Sequence, residues 1–114
     1  MTQWPLRAML AGRLKLPLIA APMFRVSGID LVMAACRAGV VGSFPTVNCR
    51  GVDELDNWLS RLSAELSPMD APFCPNLIMR RDNLREELAC LMRHRVELVS
   101  VTSSSVNCSN LRPR

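Results

Sequence analysis

Four short apolar runs, each separated from the next by a segment of helical periodicity, constrain this chain more than any other feature of it. The runs are Leu18 to Ala21, Val40 to Phe44, Phe73 to Met79 and Val96 to Val101. They are apolar at most positions rather than at alternate ones, as strands covered on both faces are. Between the first two, Ile29 to Ala38 reads as a helix with Leu31, Ala34, Ala35 and Ala38 on one face and Gly39 as its stop. Residues 53–66 form the clearest helix, with Leu55, Leu59, Leu62 and Leu66 on one stripe and Asp53 and Glu54 at the positive end. Asp82 is placed to cap a third helix, lined by Leu84, Leu88 and Leu91 and finished by Arg93, His94 and Arg95. The order β-α-β-α-β-α-β with short connections implies parallel strands joined by right-handed crossovers. Periodicity leaves open whether they belong to a doubly wound sheet or to part of a closed barrel.

The chain has 114 residues, enough for one modest domain. That is less than half of the ~250 residues of a complete (β/α)8 barrel. Upstream of the first run, Pro5 is placed to open a short helix ending near Gly12. From Thr102 the sequence turns to Ser and Asn without an apolar face. Residues 102–114 therefore read as an aberrant or disordered tail, and residues 1–101 as the domain.

Composition excludes several classes. The net charge of +4 comes from Arg7, Arg13, Lys15 and Arg25, spread along the N-terminal quarter rather than gathered into a stripe. Aromatics are 4% with no Tyr, so base stacking has little to use, and a nucleic-acid partner is not expected. Cys36, Cys49, Cys74, Cys90 and Cys108 are odd in number and contain no C-x-x-C pair. That argues against a disulfide framework and a zinc site, and for free thiols in a reducing cytoplasm. The longest strongly apolar run, Leu16 to Phe24, is interrupted by Pro17 and Pro22 and is far below the ~20 residues of a membrane span. It also lacks the cleavage site of a secretory leader.

Five segments in order resemble the nitronate monooxygenase family, formerly 2-nitropropane dioxygenase. They are Leu16-Pro-Leu-Ile-Ala-Ala-Pro-Met-Phe24, Ala38-Gly-Val-Val-Gly-Ser-Phe-Pro-Thr46, Glu54-Leu-Asp-Asn-Trp-Leu59, Ala71-Pro-Phe-Cys-Pro-Asn-Leu-Ile78 and His94-Arg-Val-Glu-Leu-Val99. The resemblance implies the N-terminal part of an FMN-dependent TIM barrel, incomplete, with about four parallel strands and three crossover helices. It also implies oxidation of alkyl nitronates by molecular oxygen to a carbonyl compound and nitrite. Two other readings stand beside this one: a non-catalytic remnant of the family, and a related flavin-dependent enoyl reductase barrel.

By the same resemblance, Pro22, Met23 and Phe24 after the first strand and Asn76 in the third are the cofactor-binding residues. The Pro-Met segment would lie against the flavin ring with main-chain groups at its polar edge, and Asn76 would hydrogen-bond the flavin. Asn76 needs partners in any case, because an unpaired amide in an apolar strand costs roughly 1–3 kcal/mol. Ser43 and Thr46 end the second strand, as lining of the same mouth or as turn-stabilising hydroxyls. The family's catalytic histidine lies beyond the fourth strand, with no match here. His94 closes the third helix at the opposite end and reads as a cation complementing a helix C-terminus. Cys74 reads as a packed core thiol. The phosphate-binding loops of such barrels come late in the fold, so the chain alone is expected to hold FMN weakly or not at all. No metal is expected.

Overall fold

Crossover connections carry each strand of this chain to a position parallel to and beside the one before it. The computed structural model describes residues 10–79 and 82–102. It contains β1 (Ile19–Ala20), α1 (Ile29–Ala38), β2 (Val41–Pro45), a 3-10 turn (Thr46–Asn48), α2 (Val52–Glu65), β3 (Phe73–Ile78), α3 (Leu84–Arg93) and β4 (Ser100–Thr102). The strands form one parallel sheet in the order β1-β2-β3-β4. Curled with its helices between the strands, the sheet is half of a (β/α)8 barrel. The helix expected from Pro5 lies, apart from its last residues, outside the described residues, as do residues 103–114 of the expected tail.

Strand alternation sorts the side chains onto two faces. Phe44, Phe73 and Leu77 point to the helices and join Val32, Cys36, Leu55, Leu59, Leu62 and Leu91 in the core. In register, Ser43 pairs with Cys74, and Asn76 with Ser100; these side chains line the inner face. Phe44 stacks at a tilt on Trp58, with ring centroids 5.2 Å apart. Pro75 sits third in a central strand, where it removes a ladder donor, and its ring is fully buried under the helices.

Two glycines make the packing of α1 possible. Gly39 ends the helix in the left-handed region at φ 92°, where its N–H reaches the Ala35 and Cys36 carbonyls. Gly42 lets β2 run directly beneath the helix backbone.

Four expectations need correction. The buried face of α1 is Val32, Met33, Ala35 and Cys36, and Leu31 is exposed. Asp30 and Arg37, seven residues apart, mark the solvent side of that helix, and Val32, Ala35 and Cys36 lie opposite them. Second, α3 buries Glu87, Cys90 and Leu91 and leaves Leu88 exposed, because the Glu87 carboxylate accepts a 2.7 Å hydrogen bond from Thr46 Oγ1. Third, Asp82 does not cap α3. Asn83 occupies the N-cap position, and no side chain bonds the free amides there.

Fourth, β4 is three residues long, not six. Arg95 takes φ 51° and donates to Met92, and the Val96 N–H turns back to Leu91. The helix ending thus uses the residues that would have begun the strand, and Glu97 is held by a bidentate pair with Arg13. At its other end β4 includes Thr102, whose carbonyl accepts from Met79. No helix among the described residues is long and apolar enough to cross a membrane.

Candidate functional site

In α/β barrels the ends of the strands where the chain leaves for the next helix carry function. Here that end begins with the loop after β1, residues 21–28. The Met23 N–H donates to Ser27 Oγ at 2.8 Å, and Ser27 Oγ donates to the Ala21 carbonyl at 3.3 Å. Asn48, from the turn after β2, donates to the Met23 and Ser27 carbonyls and accepts from the Arg25 N–H. Ser27 is buried. Arg25 adopts φ 64°, and its guanidinium lies 5.1 Å from the centre of the Phe24 ring. The result is a loop fixed from inside and from the neighbouring strand, with the Met23 and Phe24 side chains exposed.

The backbone groups of Met23 are taken up within the loop, its N–H by Ser27 and its carbonyl by Val26, Ser27 and Asn48. Main-chain groups of the loop left without a partner among the described residues include the Pro22 carbonyl, the Phe24 N–H and carbonyl, and the Arg25 carbonyl. Neither Ser27 nor Asn48 was singled out from sequence. The turn signal Ser27-Gly28 and the Asn48 of Thr46-Val-Asn48 were visible there, but their convergence on Met23 was not.

Asn76 lies on the inner face, two strands from the loop, and is buried. Its Oδ1 accepts hydrogen bonds from Ser100 Oγ and Thr102 Oγ1, both at 2.8 Å. The oxygen is satisfied by β4, whereas Nδ2 has no acceptor among the described residues. Ser43 Oγ donates to the Cys74 carbonyl at 2.6 Å, and Thr46 to Glu87. Both hydroxyls are structural. No hydrogen bond joins the loop to Asn76 among the described residues.

His94 caps the C-terminus of α3 and borders a depression of about 310 Å³. Ala71, Pro72 and Phe73, at the start of β3, line the same depression, which therefore lies at the far end of the sheet from the loop. The His94 Nε2 is 2.6 Å from Asp56 Oδ1. This hydrogen bond, with a smaller part from the Arg93 charge, holds the Asp56 carboxyl below the usual aspartate range. The described cysteines are free and buried. Burial raises the thiols of Cys36, Cys74 and Cys90. It does the same at Cys49, pushed up to about 12 with the help of the Glu54 and Glu87 charges. Cys74 is thus a packed thiol, as expected.

Among solved structures, the chain is similar to FabK from Thermotoga maritima, with a TM-score of 0.69 and 18% identity over 89% of this chain and 30% of that one. A single-site mutant of the same protein matches with a TM-score of 0.69 and 17% identity, over 90% of this chain and 33% of that one. The fold is a partial (β/α)8 barrel. The chain spans about a third of the length of the structures it matches. At this identity the likeness establishes the fold, and the chemistry has to be argued from the site. No protein-family model and no curated protein matches the sequence.

Proposed function

We propose that the chain supplies the ring-side part of a flavin site in an oxidoreductase barrel. We propose further that the flavin is FMN and the reaction the oxidation of an alkyl nitronate by molecular oxygen. The observation that carries the reading is Asn76. A buried amide whose N–H groups lack an acceptor costs about 1–3 kcal/mol, and a heterocycle with acceptor atoms at its edge relieves that cost. The loop after β1 supports the same reading, since Met23 and Phe24 offer apolar surface to a planar ring beside the unpaired Pro22 and Phe24 main-chain groups.

When bound, a flavin supplies the electron transfer between substrate and oxygen. The residues of this chain bind and orient. Pro22, Met23 and Phe24 position the ring, Asn76 donates from Nδ2, and Ser100 and Thr102 fix the direction in which it donates. Proton removal from the substrate needs a base within hydrogen-bond reach. His94, at the far end of the sheet, is not that base, in keeping with a resemblance that places the family's base beyond the fourth strand. Buried free thiols fit a reducing compartment, so we place the protein in the cytoplasm.

The second reading is the related flavin-dependent enoyl reductase barrel that the resemblance left beside the first, since a flavin face of this kind serves either reaction. The test is a fluorimetric titration of FMN into the purified chain, with flavin-loaded protein assayed for nitrite release from an alkyl nitronate and for reduction of an enoyl thioester. Weak but saturable quenching that Asn76→Ala abolishes is the expected result. Quenching that Asn76→Ala leaves unchanged removes the flavin reading. Enoyl reduction without nitrite release selects the second.

A further inference from the structure

Away from the strand-end face, α2 and α3 bring three side chains of complementary chemistry together. Cys90 and His94 are four residues apart at the end of α3, which puts them on one face of the helix. Asp56 reaches them from α2. Cys90 Sγ, His94 Nε2 and Asp56 Oδ1 all lie within 4.8 Å of one another. Asp56 Oδ1 is 2.6 Å from the histidine nitrogen and 3.8 Å from the sulfur. We propose that Asp56, Cys90 and His94 form a binding site for a divalent transition metal of the zinc type, with a fourth position open to water.

The donor set decides the class of metal. A thiolate, an imidazole and a carboxylate suit zinc or cobalt, whereas magnesium and calcium take oxygen ligands. Charge matches as well, since the thiolate and the carboxylate together neutralise a divalent ion. The location favours a cation, because the last turn of α3 presents the negative end of the helix dipole. Cys90 is fully buried, while the side chains of His94 and Asp56 are 18% and 46% exposed. An ion held there is covered on the sulfur side and open to water on the carboxylate side.

Binding changes the protons in a defined way. The Cys90 thiol gives its proton to solvent, and the Nε2 proton that His94 donates to Asp56 also leaves to solvent, a ring proton being held on Nδ1, so that the Nε2 lone pair faces the ion. The hydrogen bond between His94 and Asp56 is replaced by two bonds to the metal. Ligand bonds of about 2.0–2.3 Å require the nitrogen and oxygen to separate by several tenths of an ångström, and the exposed Asp56 carboxylate has room to turn. Arg93, 3.8 Å from Asp56 Oδ1, opposes a cation, but its side chain is largely exposed and free to swing into solvent. The absence of close cysteine pairs does not bear on such a site, because its ligands come from two helices and only one is a cysteine.

The experiment is a titration of cobalt(II) into the purified full chain, without an affinity tag and with a phosphine reductant. One cobalt per chain is expected, with the sulfur-to-cobalt charge-transfer absorption of a thiolate ligand and displacement by zinc. Cys90→Ala should abolish that absorption. His94→Gln and Asp56→Asn, at the exposed side of the cluster, should each weaken binding by more than about tenfold while helical circular dichroism is retained. These two variants keep the test decisive if Cys90→Ala does not fold. Absence of charge-transfer absorption in the wild-type chain overturns the site. So does absorption that survives Cys90→Ala, or wild-type affinity in both His94→Gln and Asp56→Asn.

Discussion

At Gly42 the backbone of β2 passes so close to α1 that an added Cβ would lie 2.5 Å from the Val32 carbonyl oxygen and 3.1 Å from Cys36 Sγ. Neither neighbour is the free end of a flexible chain. Replacing glycine by alanine usually gains about 0.4–1 kcal/mol through the unfolded state, whereas overpacking costs typically 1–3 kcal/mol. The second term wins at this position. Gly42→Ala is expected to lower the urea midpoint by an amount equivalent to about 1–2 kcal/mol at unchanged slope. A midpoint equal to or above that of the parent would show that α1 can withdraw from the strand. At Gly39 the added Cβ would meet the Lys15 side chain, which is able to move, so the penalty there is chiefly the left-handed backbone.

The loop after β1 depends on a residue from another element, and that dependence is measurable. Asn48 makes three hydrogen bonds to residues 23–27, two as donor and one as acceptor. Asn48→Ala removes all three and leaves Ser27 as the remaining side-chain tie. Hydrogen exchange at the amides of Arg25 and Val26 is expected to accelerate, while exchange in α2 stays as it was. Uniform acceleration across the chain would mean that Asn48 supports the whole fold rather than the loop.

The contact between α2 and α3 carries a pH dependence. Because Asp56 is held below its ordinary value of 3.8, chiefly by the hydrogen bond from His94, its charged form favours the folded state. The stabilisation is present above that ordinary value and is lost as pH falls through the depressed one. With a chelator present, His94→Gln should therefore flatten the acid limb of a stability-versus-pH curve. A curve of unchanged shape would show that the pair does not couple the two helices.

At the scale of the whole molecule, no strand among the described residues pairs with the outer edge of β1 or of β4. Exposed apolar side chains flank both, Leu18 and Ile19 at β1 on opposite faces and Val99 and Val101 at β4 on one face. Unpaired parallel edges with apolar flanks favour association. Sedimentation velocity of the isolated chain is expected to show species that grow with concentration, reduced by Ile19→Lys combined with Val101→Lys. A single monomeric boundary at every concentration would show the half-barrel to be self-sufficient.

Element type and the buried stripe of α2 were determined by the sequence, because each depends on residues within a turn or two of one another, and parallel pairing followed from the alternating order of the elements. The leucines at 55, 59 and 62 have one possible inner face, and they occupy it. Where local information was degenerate, the tertiary structure decided. How closely α1 lies on the sheet was set by Gly42, which has no Cβ to hold Val32 and Cys36 away. α3 turned a carboxylate inward because Thr46, 41 residues earlier, offered a donor. Part of the candidate site was legible as well, since the motif placed Pro22, Met23 and Phe24 after β1 and Asn76 on β3. The partners that orient those residues were not. Ser100 and Thr102 reach Asn76 only across a strand pairing, Asn48 reaches Met23 only across a turn, and Asp56 meets His94 and Cys90 only where two helices pack. A hydrogen bond depends on positions in space, and spacing along the chain constrains those positions only within one element.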